Sequence, residues 1–127
     1  MLKDRFNSFR YAFKGIADLL KSQANARIHL VATIAVLTAG AFLELTLNEW
    51  CLITLCITFV FSAEAVNTAI EYLTDLISPD YHPLAGKAKD VAAAAVLLAA
   101  IGATIVGLII FLPKIWTILN FVLILDT

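Results

Sequence analysis

Glu64-x-x-Asn67-x-x-x-Glu71-x-x-x-Asp75 puts three carboxylates and a carboxamide into an otherwise hydrocarbon-rich stretch. At the helical turn per residue, Glu64, Glu71 and Asp75 project within a ~40° arc, with Asn67 and Thr68 beside it. Glu64 and Glu71 stand ~10 Å apart along the axis, so they do not form a dyad sharing one proton. They suit two tasks at two depths, one meeting a lipid headgroup and the other a water-soluble cosubstrate. Mg²⁺ takes one or two carboxylates together with waters and phosphate oxygens, which fits the shallower Glu71. Lys89-Asp90 follows at the start of the next apolar segment, where free backbone N–H groups favour anions. Carboxylates at membrane depth can also be structural, paired with Lys or Asn across a bundle, or can line a proton path. Four polar side chains on one stripe, followed by Lys-x-Lys-Asp, favour a site.

The elements that must hold these groups are spans of a membrane. Of 127 residues, 61% are hydrophobic and 15% charged, against nearer half and a quarter in a soluble domain. The pattern predicts an all-α membrane protein in one domain, 1–127. Residues 2–22 form an amphipathic helix with Leu2, Phe6, Phe9, Phe13, Ile16 and Leu20 on one face. Asp4, Asn7, Arg10, Lys14, Asp18 and Lys21 lie on the other, a pattern suited to the headgroup plane, to packing the Phe face on a protein core, or to both. Spanning helices follow over 28–47, 50–75 and 90–112. Ile77 to Lys89 reads as a loop, and Pro113 as the end of the last span before a short apolar tail, 113–127. From Trp50 to Ala63 the second span is uncharged for ~21 Å of helix, so Glu64 falls inside a hydrocarbon layer ~30 Å thick. The small residues Ala92, Ala95, Ala99, Ala103 and Gly107 give the third span a smooth face for close packing.

Basic residues orient the chain. Lys3, Arg5, Arg10, Lys14, Lys21 and Arg27 precede the first span; Lys87 and Lys89 lie between the second and third. Eight of nine are therefore on one side, which becomes cytoplasmic, and the polar run meets that interface. No cleavable signal pattern is seen, and insertion is expected through the spans themselves.

Several chemistries are excluded. Gly86-Lys87 is followed by Ala88 and lacks a Gly five residues earlier, so any nucleotide site is not a P-loop. No kinase Gly-rich loop, HExxH or nucleophile elbow occurs. A net charge of −1 without a basic tail gives no support for a nucleic-acid partner. Cys51 and Cys56, five apart on one helix, point to different faces and read as small buried residues.

Glu64-Ala-Val-Asn67-Thr-Ala-Ile-Glu71-x-x-x-Asp75, Tyr81-His82 and Ala88-Lys89-Asp90-x-x-Ala-Ala-Ala-Val96 resemble the signature of the prokaryotic diacylglycerol kinase family. The likeness covers most of the chain, from Phe9-x-x-Ala-Phe13-Lys14-Gly15 onward. Asn25-Ala-Arg27-Ile-His29-Leu30, Glu49-Trp50 and Phe111-Leu-Pro-Lys114 are similar to its undecaprenol kinase branch. The resemblance implies a homotrimer with three spans per subunit, a surface helix, and sites between subunits at the cytoplasmic face of the bacterial inner membrane. It implies transfer of the γ-phosphoryl of Mg·ATP to a lipid primary alcohol, undecaprenol before diacylglycerol. By matching positions, Glu64 is the general base, Asn67 orients the hydroxyl, and Glu71 binds Mg²⁺ on the ATP phosphates. Lys89 and Asp90 hold the nucleotide, with Tyr11 and the Tyr81-His82 loop near it. Asp75 matches a family acid of less defined role. The family's usual metal-binding Glu is replaced by Gln23, whose amide oxygen can ligate Mg²⁺ without adding charge. Ala12 stands where some relatives carry a Ser.

Two other classes fit parts of the pattern. A proton-coupled homo-oligomeric transporter would use Glu64, but such chains have four spans and no need of Lys-x-Lys-Asp. A non-catalytic scaffold would tolerate Ala at Glu64, Glu71 and Asp90 together.

Overall fold

The computed structural model describes residues 2–125 as four helices, α1 Leu2–Ser22, α2 Ala24–Phe42, α3 Leu47–Ile77 and α4 Pro83–Leu125. Met1, Asp126 and Thr127, and the side chains of residues 2–4 and 125, lie outside what is described; the extremes of the expected first helix and tail fall there. Among the described residues there is no strand. α2, α3 and α4 are each long and apolar enough to cross a membrane. Large apolar side chains line their outer surfaces, with Val31, Phe59 and Leu98 all well over half exposed. In water that surface would be prohibitive, whereas lipid tails meet it without penalty.

α3 and α4 form the principal packed pair, and α2 and α1 lie against α3. At one end, Leu45, Ile53 and Ile110 are buried together under Val36, Trp50, Val106 and Phe111. Toward the other end the buried residues of α3 turn polar, namely Glu64, Asn67 and Thr68. On α4, Ala92, Val96 and Ala99 are buried, while Ala95 is exposed and Ala103 and Gly107 are only half-buried. The smooth face expected of the small residues is thus shared with Val96, and its lower half is left partly open.

The three long helices cover 24–42, 47–77 and 83–125, against the 28–47, 50–75 and 90–112 read in the sequence. α2 ends at Phe42, before the expected Leu47, because Glu44 takes a left-handed conformation (φ 49°). Leu43 N–H donates to Ala39 O at 2.9 Å and Leu45 N–H to Gly40 O at 3.3 Å, a Schellman-type stop. Thr46 then opens α3. Its hydroxyl accepts from Glu49 N–H at 3.3 Å while Glu49 Oε2 accepts from Thr46 N–H at 2.7 Å, a capping box. The Ile77–Lys89 loop shrinks to residues 78–82, since Pro83 begins a helix instead of interrupting one. Proline fits the first helical position, where its missing N–H is no loss. Before it, His82 O accepts from Gly86 N–H at 3.0 Å and His82 Nδ1 accepts from Leu84 N–H at 3.2 Å, so His82 acts as the cap.

Pro113 does not end α4, and the segment expected as a separate tail continues the helix to Leu125. One proline removes one backbone hydrogen bond; stopping the helix in apolar surroundings would strand several carbonyls and N–H groups, each costing several kcal/mol. Lys114 Nζ lies 3.1 Å from Glu49 Oε2, tying this part of α4 to the start of α3.

Candidate functional site

Gln23 is the whole connection between α1 and α2. Its backbone is extended (φ −101°, ψ 120°), its N–H donates to Leu19 O at 3.0 Å, and Arg27 Nη1 donates to Lys21 O at 2.9 Å across the joint. This geometry brings Gln23 Nε2 to 3.4 Å from Glu71 Oε2. Tyr72 OH, next on α3, donates to Asp18 Oδ2 at 2.9 Å and lies 3.0 Å from Ser22 Oγ, holding the end of α1 against α3.

Between α2, α3 and α4 lies a cavity of about 260 Å³ lined by Asn25, His29, Glu64, Asn67 and Glu71, with α4 residues from Ala93 to Ala100 closing the apolar side. Glu64 is 1% exposed and Asn67 6%. Asn67 Nδ2 donates to Glu71 Oε1 at 3.1 Å, so both oxygens of Glu71 are met by amides. Among the described residues, Glu64 Oε2 and Asn67 Oδ1 are buried with no hydrogen-bond partner. Two desolvated acceptors in one cavity call for a donor from outside the chain, because leaving such an atom unmade costs about 1–3 kcal/mol. A hydroxyl supplies one O–H, enough for one of the two. The His29 ring is held edge-on to Phe61, centroids 6.5 Å apart at 76°. Phe61 precedes Glu64 by one helical turn on the same side of α3.

A second cluster surrounds the α3–α4 turn. Asp75, Asp80, Tyr81, His82 and Lys89 line a cleft of about 210 Å³, and Lys89 Nζ pairs with Asp75 Oδ1. Tyr81 is 90% exposed, and Asp90 is exposed on the neighbouring helical position. Glu71 and Asp75 are one turn apart, so the two clusters are stacked along the same edge of α3. Tyr11 lines neither cavity. It is exposed on α1 with Lys14 Nζ 5.9 Å from its ring centroid. The sequence-derived site therefore divides into Glu64, Asn67 and Glu71 in one cavity, with Gln23 beside it on Glu71, Tyr81, His82, Lys89 and Asp75 at the turn, and Tyr11 and Asp90 outside both.

Asn25 and His29 were not among the sequence-derived site residues. They lie one turn apart on α2 and face the α3 acids, and that i,i+4 polar pair in an apolar helix was the available signal. Among the described residues no three His, Cys, Asp or Glu side chains gather as a self-sufficient metal site. One carboxylate flanked by amides still fits Mg²⁺, which completes its shell with phosphate oxygens and water.

The fold and cavity define a class: a small helical integral membrane protein with a polar cavity opening beside hydrocarbon. The chain belongs to the prokaryotic diacylglycerol kinase family, whose sequence model matches residues 10–111. It is 47% identical to the undecaprenol kinase of Bacillus subtilis (strain 168) over 109 residues, 86% of this chain and 89% of that one. It is 42% identical to a diacylglycerol kinase of Synechocystis sp. over 113 residues, 88% of this chain and 65% of the relative. With the diacylglycerol kinase of Escherichia coli (strain K12) identity is 34% over 95 residues, 75% and 78% of the two chains.

Proposed function

We propose that this protein is a lipid kinase that transfers the γ-phosphoryl of ATP to the primary hydroxyl of a membrane lipid, with undecaprenol as the substrate. The observation that carries the reading is the buried pair of unpartnered acceptors, Glu64 Oε2 and Asn67 Oδ1, one to two turns from Glu71. Family membership and the identity to an undecaprenol kinase support the choice of reaction and lipid.

In this reading Glu64 accepts the hydroxyl proton as the alcohol oxygen bonds to the γ-phosphorus and the bond to ADP breaks. Asn67 lines the cavity beside the hydroxyl and positions it, while its Nδ2 holds Glu71 in place. Glu71, with the Gln23 amide turned to present its oxygen, would hold Mg²⁺, which would supply charge neutralisation on the phosphates. Phosphoryl transfer depends mostly on such positioning and neutralisation. Lys89, Asp90 and the Tyr81-His82 turn form the nucleotide side, with Lys89 released from Asp75 to meet phosphate. α1 lies in the headgroup plane, and three copies assemble with the cytoplasmic face carrying the sites. The basic residues of α1, whose C-terminal end the Tyr72 contacts hold against α3, and Lys87 and Lys89 at the start of α4 support that side.

Purified protein in mixed micelles with labelled Mg·ATP should phosphorylate undecaprenol faster than diacylglycerol. Glu64→Gln should lower the rate about 10²–10⁴-fold, the usual contribution of a general base, with assembly unchanged by size-exclusion chromatography. Near-normal lipid phosphorylation by that variant would remove the base assignment; preference for diacylglycerol would reassign the lipid.

A further inference from the structure

Tyr72 follows Glu71 on α3, and Ser22 precedes Gln23 at the end of α1. Two neighbouring residues of α3 are thus gripped from the same joint: Asp18 and Ser22 meet Tyr72, and Gln23 meets Glu71. Consecutive helical positions are ~100° apart, so the Glu71 contact borders the cavity while the half-exposed Tyr72 does not line it. The outer contact is the stronger one. Tyr72 O–H donates to a carboxylate oxygen, Asp18 Oδ2, at 2.9 Å, which leaves the phenol oxygen to accept from the Ser22 hydroxyl 3.0 Å away. Gln23 Nε2 reaches Glu71 Oε2 only at 3.4 Å. Little else fixes α1. Among its described residues only Leu19 is buried, and Phe6, Phe9, Phe13 and Ile16 are each more than half exposed. Arg27 ties the joint to α2 through the Leu20 and Lys21 carbonyls, and Tyr72 ties it to α3, the helix that carries Glu71.

We propose that Tyr72 is a positioning residue for the metal side of the site: by holding Asp18 and Ser22 it fixes the Gln23 side chain against Glu71. The inference rests on the reading in which Glu71 and Gln23 would hold Mg²⁺, and it names what keeps the second of them in place. Gln23 brings a dipole and no charge. A carboxylate would be drawn to a cation across a wider gap, whereas an amide oxygen has to be delivered to it. The Gln23 backbone is extended (φ −101°, ψ 120°) between two helices, so a swing of α1 about this residue turns its side chain directly. With the phenol engaged that swing is blocked, and the amide needs only to rotate at its own end to exchange Nε2 for Oε1. Tyr72 therefore acts through Gln23 and touches no reacting atom.

The test is a double-mutant cycle read by Mn²⁺ binding, which needs no turnover. The whole protein in micelles with a non-hydrolysable ATP analogue is titrated with Mn²⁺, and the free ion is followed by electron paramagnetic resonance. Tyr72→Phe should weaken Mn²⁺ binding about tenfold, the lower end of what outer partners of a metal ligand contribute. Asp18→Ala should do the same, and Asp18→Asn, which keeps an acceptor for the phenol, should recover most of the loss. In a Gln23→Ala background, Tyr72→Phe should add little. In turnover, Tyr72→Phe should raise the Mg²⁺ concentration for half-maximal lipid phosphorylation by the same factor and leave KM for the lipid alcohol unchanged. A full Tyr72→Phe effect in the Gln23→Ala background overturns the proposal, because the phenol would then act on the fold and not on Gln23. Equal Mn²⁺ binding by the parent and Tyr72→Phe, or a loss confined to thermal stability, overturns it too. Should Tyr72→Phe fail to assemble, Ser22→Ala is read in the same way. A protein that shows the Mn²⁺ pattern yet phosphorylates no lipid alcohol removes the lipid-kinase reading and supports the positioning role.

Discussion

Glu71 sits between two amides, Asn67 Nδ2 at 3.1 Å and Gln23 Nε2 at 3.4 Å, and neither adds charge. A second carboxylate at residue 23 would repel Glu71 in the absence of cation and attract Mg²⁺ strongly. Gln23→Glu should therefore lower the Mg²⁺ concentration for half-maximal lipid phosphorylation several-fold, measured by Mg²⁺ titration at fixed ATP. An unchanged titration would separate Gln23 from the metal. At this scale the sequence displays much: the stripe from Glu64 to Asp75 is legible in its spacing alone, and Gln23 is legible as a departure from the family pattern. It could not display His82 capping α4 through its own ring, Lys89 turned onto Asp75, or His29 reaching the cavity. Those depend on the short 78–82 turn and on the packing of α2 against α3, which bring together residues far apart in the chain.

Of the five glycines, Gly40 is the one closely covered by neighbouring side chains. A Cβ there would lie 2.9 Å from Trp50 Cη2 and 3.3 Å from Leu45 Cδ2, and the indole has little freedom to yield. Gly40→Ala should lower stability by about 1–3 kcal/mol through overpacking, outweighing a helix-propensity gain of up to ~1 kcal/mol. Gly102→Ala meets nothing within 4 Å and should be neutral or stabilising. Thermal unfolding of both variants in one detergent checks the pair, and the reverse order would contradict the close approach. Hydropathy displayed the spanning helices but misplaced their ends. A proline inside a helix costs one backbone hydrogen bond and need not end it, and Pro113 is carried within α4. Pro83, a loop signal in the sequence, is a helix start because His82 caps it.

The whole chain has two chemically distinct ends. One carries the Schellman stop, the capping box and the Glu49–Lys114 pair; the other carries the two polar clusters and the α1 joint. With Cys51 and Cys56 replaced by Ala, Ser78→Cys should react with a membrane-impermeant maleimide only after cells are opened, and Asn48→Cys in intact spheroplasts. Reversed labelling would invert the orientation read from the basic residues. The joint at Gln23 also limits how this chain can vary in length. With no spare residue between Ser22 and Ala24, one insertion would turn α1 by ~100° about its axis and carry the Gln23 amide away from Glu71. Length and chemistry are coupled there: this joint has to keep count.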